Sequence, residues 1–151
     1  MKIEFRKIPE SEFIRINAPV VFGDKSTNRV FGILSNDIMH YKFAWQSDKI
    51  DPAITFIGNE ICLIGIDQDF VILNFNTGNI FLKLLLTYIF YGVKVHNDYL
   101  YVITELEIIK ISIPKFEILE TFALPDYFEG IKFYDDVIQV KCAGNEIINI
   151  K

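Results

Sequence analysis

Apolar residues run through this chain in short bursts, each closed by one or two polar positions, and the bursts are rich in Ile, Val, Phe and Tyr. Tyr99 to Thr104, Glu107 to Ile113 and Phe116 to Phe122 are three in succession. Segments of this length and composition, parted by breaks of two or three residues, predict β-strands joined by hairpins. The breaks carry the matching turn chemistry. Asn97-Asp98 and Asp135-Asp136 tolerate turn dihedrals, Asn76-Thr77-Gly78-Asn79 offers a glycine for positive φ, and Pro114-Lys115 does the equivalent work further on. Helix has little support, because Gly, Asn, Pro and β-branched residues interrupt any sustained 3.6-residue stripe.

The bursts also repeat. Ile57-Gly58-Asn59-Glu60-Ile61-Cys62-Leu63-Ile64 aligns with Val95-His96-Asn97-Asp98-Tyr99-Leu100-Tyr101-Val102, and both align with Phe133-Tyr134-Asp135-Asp136-Val137-Ile138-Gln139-Val140, each step being 38 residues. The register persists beyond this block. Gly92-Val93-Lys94 falls on Gly130-Ile131-Lys132, Asp67 and Asp69 on Glu105 and Glu107, and Ile80-Phe81 on Ile118-Leu119. A fixed period of this size marks one supersecondary unit used several times. The fold class expected is all-β, with about three four-stranded antiparallel meanders over residues 53–151.

A period near 40 with four strands per unit resembles the blade of a β-propeller, in the degenerate form found in quinoprotein-like propellers. The resemblance covers about residues 53–151. The third unit stops after three strands, at Glu146 to Lys151, and three units fall short of the roughly four to eight blades that close a ring. The resemblance therefore implies a half propeller with open ends. Residues 1–52 read as a divergent β segment of the same single domain (1–151), with strand-like pieces at Lys2 to Ile8, Phe13 to Phe22, Arg29 to Leu34 and Ile38 to Trp45. Loops are expected at Gly23 to Asn28 and Gln46 to Pro52. Lys2 to Ile8 is expected to cover a bare outer strand, in the final unit, because unpaired edges invite aggregation.

In a meander successive turns alternate between the two ends of the sheet, so equivalent turns of repeated units should share one end. One end collects Asp67-Gln68-Asp69, Glu105-Leu106-Glu107, Ala143-Gly144-Asn145 and the connectors Thr87 to Tyr91 and Pro125 to Glu129. Its candidate binding residues are the carboxylates Asp67, Asp69, Glu105, Glu107, Asp126 and Glu129, with Tyr88, Tyr91 and Tyr127 among them. No lysine or arginine stands in those loops. The other end carries Glu60, Asp98, Asp135 and Asp136, joined by Lys115.

Charge sharpens this picture. Residues 1–50 hold eight bases and six acids, a sum of +2, while residues 51–151 hold seven bases and 14 acids, a sum of −7, which together give the net −5. The acidity belongs to the repeats. An acidic chain is a poor ligand for a phosphate backbone, so nucleic acid is not expected as a partner. Met1 to Lys7 carries charges where a signal peptide needs roughly 7–15 apolar residues, and the best apolar run, Leu84 to Val93, is about half of a membrane helix. A cytoplasmic location without membrane contact is expected. Cys62 and Cys142 lie far apart in apolar segments and read as buried reduced thiols.

Catalytic signatures are not found, so no enzyme and no cofactor is expected. His96-Asn97-Asp98 reads as a surface turn, His40 has no identifiable partner, and two turn carboxylates at Asp67-Gln68-Asp69 supply too few oxygens for a divalent cation. The function expected is a protein-binding module. Its most concrete form is a small bacterial immunity or antitoxin protein that covers a basic toxin domain, such as a nuclease, with its acidic aromatic face. The alternative is an assembly module in which two copies join through open edges, giving a homodimer.

Overall fold

The computed structural model describes residues 2–23 and 28–151, so residues 24–27 of the expected Gly23 to Asn28 loop lie outside the described residues. The chain divides into two compact units, Met1–Leu85 and Leu86–Lys151. Among the described residues no helix is long and apolar enough to cross a membrane.

In the N-terminal unit the first sheet holds β1 (Glu4–Ile8), β2 (Val20–Phe22), β3 (Val30–Ser35) and β4 (His40–Trp45) in the order β1-β3-β4-β2. The second sheet is the meander β5 (Ala53–Ile57), β6 (Ile61–Ile66), β7 (Asp69–Asn74) and β8 (Ile80–Leu85). One face of the first sheet, with Leu34, Tyr41, Phe43 and Trp45, packs on Cys62, Ile64, Val71 and Leu73 of the second, and Phe5, Ile54 and Phe56 fill the margin. The Tyr41 hydroxyl donates to the Phe75 carbonyl and the Trp45 indole N–H to the Ser47 carbonyl (2.8 Å), so the polar atoms of both rings are satisfied.

Two expectations for the N-terminal segment are corrected. Lys2 to Ile8 contributes β1, but its partner is β3, with Phe5 opposite Leu34, so it extends the first sheet and not the final one. Phe13 to Phe22 is not one strand. It contains the end of helix α1 (Glu10–Arg15) and then β2, which runs parallel to β4. The helix exists because it has a face to cover. Phe13 and Ile16 lie against Ile8, Phe31, Ile33 and Ala44 on the face of the first sheet turned away from the second. Lys42, buried on that face, donates from Nζ to the carbonyls of Phe13 (2.6 Å) and Ile16 (2.7 Å), neutralising the helix C-terminus where backbone acceptors lack intrahelical partners.

In the C-terminal unit the third sheet is the meander β9 (Phe90–His96), β10 (Tyr99–Thr104), β11 (Glu107–Ser112) and β12 (Ile118–Ala123). The fourth sheet has three strands, β13 (Phe128–Phe133), β14 (Ile138–Cys142) and β15 (Glu146–Ile150), as the truncated third repeat implied. Tyr101, Ile103 and Ile108 of the third sheet pack on Ile138, Val140, Cys142 and Ile150 of the fourth. The chain is thus all-β with repeated antiparallel sheets, and the first sheet, with its parallel strand, is the divergent one.

The 38-residue period is visible in the backbone itself. Gly78 N–H donates to Asn74 O and Phe116 N–H to Ser112 O, both at 2.8 Å, while Phe75 N–H to Glu60 O (2.7 Å) matches Ile113 N–H to Asp98 O (3.0 Å). The β7–β8 ladder breaks register between Ile72 and Leu73, and the β11–β12 ladder breaks between Lys110 and Ile111. The turn demands left-handed backbone at its last position. Gly78 meets this freely (φ 80°), whereas Phe116 (φ 57°) carries a steric cost of about 1–2 kcal/mol that burial of its ring offsets. The last hairpin departs from the period. Cys142 pairs with Glu146 across Ala143-Gly144-Asn145, one residue more than the corresponding turns hold.

Candidate functional site

The turn between β10 and β11 organises one end of the C-terminal unit. Glu105 N–H donates to Ile89 O (3.0 Å), Phe128 N–H donates to Glu105 O (2.8 Å), and Leu124 N–H donates to Leu106 O (2.9 Å). Ala143 N–H donates to Tyr127 O (2.8 Å), the 38-residue copy of the Glu105–Ile89 bond. Thr104 locks the turn from below: its buried hydroxyl donates to Glu107 O (2.7 Å) and accepts from Glu107 N–H (3.0 Å). These bonds bring the connector carrying Tyr88, the start of β9 carrying Tyr91, and the loop carrying Asp126 and Tyr127 to the end where Glu105 and Glu107 stand; the expected connector Thr87 to Tyr91 is thus shorter, because Phe90 and Tyr91 already belong to β9. Glu129 enters the same region at the start of β13.

The two aromatic anchors are displayed, not buried. Tyr91 is 54% exposed and Tyr127 53% exposed, and Tyr91 is held edge-on to the Phe128 ring at 6.0 Å. Tyr88 is half-buried. Ile89, exposed between them, extends the apolar part of the patch and was not among the sequence candidates. An isoleucine in a connector is the signal that could have found it.

The carboxylates do different jobs. Glu105 Oε1 accepts from the Ile89 N–H (3.2 Å), so it clamps the connector before β9. Asp126 Oδ1 accepts from Tyr127 N–H (2.7 Å) and sets that loop. Glu129 lies 3.8 Å from Lys141 Nζ, an exposed pair worth about 0–1 kcal/mol, so a base reaches the acidic patch from β14. Glu107 opens β11 with its side chain half-buried.

Asp67 and Asp69 belong to the N-terminal unit. Asp67, in left-handed backbone (φ 53°), accepts from the Gln46 and Ser47 N–H groups, each at 3.1 Å, and so fastens the loop before β5. Asp67 and Glu105, aligned by the repeat, therefore share a structural role, each clamping a connector. Asp69 opens β7 opposite Ile66 and Leu85.

Other reactive side chains are occupied by packing. Cys62 and Cys142 are free and buried. Burial pushes the Cys62 thiol up to about 12. Cys142 is raised first by burial, then by the nearby Asp126, Glu146 and Glu129 carboxylates, against a backbone hydrogen bond at Asp126 that lowers it. Neither thiol is poised as a nucleophile. His96 stacks on Phe133 with centroids 4.6 Å apart. Among the described residues no three His, Cys, Asp or Glu side chains converge to hold a metal ion.

The chain matches no protein-family model and no curated protein.

Proposed function

We propose that this chain is a half-propeller-like protein-binding module whose C-terminal loop end docks on a basic partner. The observation that supports it is the pair of half-exposed tyrosines on one unit, Tyr91 set edge-on to Phe128 and Tyr127 accepting from the Ala143 N–H, with Asp126 beside Tyr127. Rigid aromatic anchors of this kind supply most of the energy of protein interfaces, while the surrounding charges steer encounter and reject wrong partners. The reading in its most concrete form is a cytoplasmic immunity or antitoxin protein that occludes a basic toxin domain.

The test is capture of the partner from the native host followed by measured association. Tyr91→Ala with Tyr127→Ala should weaken affinity at least tenfold, chiefly through dissociation. Glu107→Gln should slow association, and the association rate of the native chain should fall as salt rises from about 0.05 to 0.5 M. Asp67 and Glu105 are left intact because they clamp loops. A partner that is not basic, or a rate indifferent to salt, contradicts the proposal.

A further inference from the structure

Tyr127 offers an aromatic ring that nothing in the chain uses. It is 53% exposed, and among the described residues no ring or cation packs on it, whereas Tyr91 is set against Phe128 and Tyr99 lies under Lys110. Beside it stands a carboxylate held from one side only. Asp126 Oδ1 accepts from the Tyr127 N–H (2.7 Å), and among the described residues no donor reaches Oδ2. Gly144 leaves that oxygen uncovered. Its left-handed backbone (φ 75°) suits glycine, and a Cβ there would stand 3.9 Å from Oδ2, in van der Waals contact. Resting on the reading of this end as the surface that docks a basic partner, we infer that the partner's anchoring base is an arginine, stacked on the Tyr127 ring and donating to Asp126 Oδ2.

Elsewhere the chain shows how it holds a cation. Lys42 Nζ lies 4.8 Å from the Phe13 ring centroid while donating to the Phe13 and Ile16 carbonyls. Lys110 Nζ lies 4.0 Å from the Tyr99 centroid while donating to the Lys151 main-chain oxygen (3.1 Å). Ring and oxygen act together in both. Tyr127 and Asp126 supply the same two elements, with a charged acceptor in place of a carbonyl, and among the described residues no base takes them up. Lys141, the base that reaches this end, lies against Glu129 (3.8 Å).

Arginine fits such a place better than lysine. Its guanidinium is planar and weakly hydrated, so it can lie on a ring face and still donate from its rim to an oxygen beside that ring. An ammonium is compact and strongly hydrated, and on a ring this exposed it gains less by shedding its water. Ile89, 44% exposed, and Tyr91 at the same end give the partner residues that flank the arginine an apolar surface to cover. Covering it excludes water from the cation and its ring, which strengthens their attraction.

The experiment titrates the intact chain with acetyl-Leu-Arg-Leu-Arg-amide and with its counterpart acetyl-Leu-Lys-Leu-Lys-amide, each up to about 5 mM, and reads amide chemical shifts residue by residue. The arginine peptide should shift the Asp126, Tyr127 and Gly144 amides with an affinity about threefold or more above that of the lysine peptide. Tyr127→Leu should make the two peptides equal. Asp126→Asn, which keeps an acceptor for the Tyr127 N–H, should weaken the arginine peptide severalfold with the loop still set. Equal binding of both peptides at these amides overturns the arginine assignment and leaves the basic-partner reading standing. A preference that survives Tyr127→Leu, or shifts confined to other acidic turns such as Asp135-Asp136, overturns it as well, and no shift with either peptide contradicts both.

Discussion

The two units each stack one sheet on another, yet they finish their outward faces in opposite ways. In the N-terminal unit the first sheet turns Phe31, Ile33 and Ala44 away from its partner, and α1 covers them with Phe13 and Ile16. In the C-terminal unit the fourth sheet turns Gln139, Lys141 and Ile147 away from the third, and they line a groove in which Ile147 is 57% exposed. The corresponding positions of the third sheet, Tyr101, Ile103 and Ile108, are buried. One face is apolar and sealed by added chain, and the other is made polar by substitution.

The comparison can be broken most sharply by placing charge on each face. Ala44→Asp buries a carboxylate under α1 and should cost about 4 kcal/mol, lowering the melting temperature by roughly 10 °C, whereas Gln139→Glu should change stability by less than about 0.5 kcal/mol. Equal losses would mean that the two faces are alike.

Alkaline titration compares the two inter-sheet cores. Cys62 has its pKa raised from 9.0 to about 12, so its neutral thiol stabilises the fold fully below pH 9, and this contribution of about 4 kcal/mol is lost as pH rises from 9 to 12. Cys62→Ala should flatten that part of the denaturation profile. Cys142 is also raised, so Cys142→Ala should reduce alkaline loss as well, but its backbone bond at Asp126 favours the thiolate and makes the effect smaller. An unchanged slope in Cys62→Ala contradicts the assignment.

Smaller still is the seal itself. Lys42→Met keeps the stem but strands the Phe13 and Ile16 carbonyls, which should cost about 2 kcal/mol and speed exchange in α1 before the rest of the unit. Gln139→Tyr with Lys141→Ile restores the side chains of the third sheet on the fourth. It should barely move stability yet cause self-association in sedimentation, because it creates an apolar patch.

Much of this contrast can be read from the chain. Cys62 to Ile66 and Leu100 to Thr104 are apolar almost without interruption, whereas Ile138-Gln139-Val140-Lys141-Cys142 alternates, and only the last is a strand with one buried face. The 38-residue period was equally plain because turn residues recur with it. Helix α1 escaped because six residues are too few to display a helical period, and its justification lies in Phe31 and Ala44, distant in sequence. The pairing of β1 with β3 is likewise a choice of topology that no local pattern encodes. At the candidate site the loops were legible, but the duties of their acids were not. A carboxylate in a turn looks the same whether it faces solvent or, like Asp67, holds two backbone N–H groups of another loop.

The most direct test of the contrast is solvent paramagnetic relaxation, read residue by residue with a neutral gadolinium chelate. The account predicts strong broadening at Lys132, Lys141 and Ile147 and protection at Phe31, Ile33 and Ala44. Protection of both sets, or broadening of both, would contradict it.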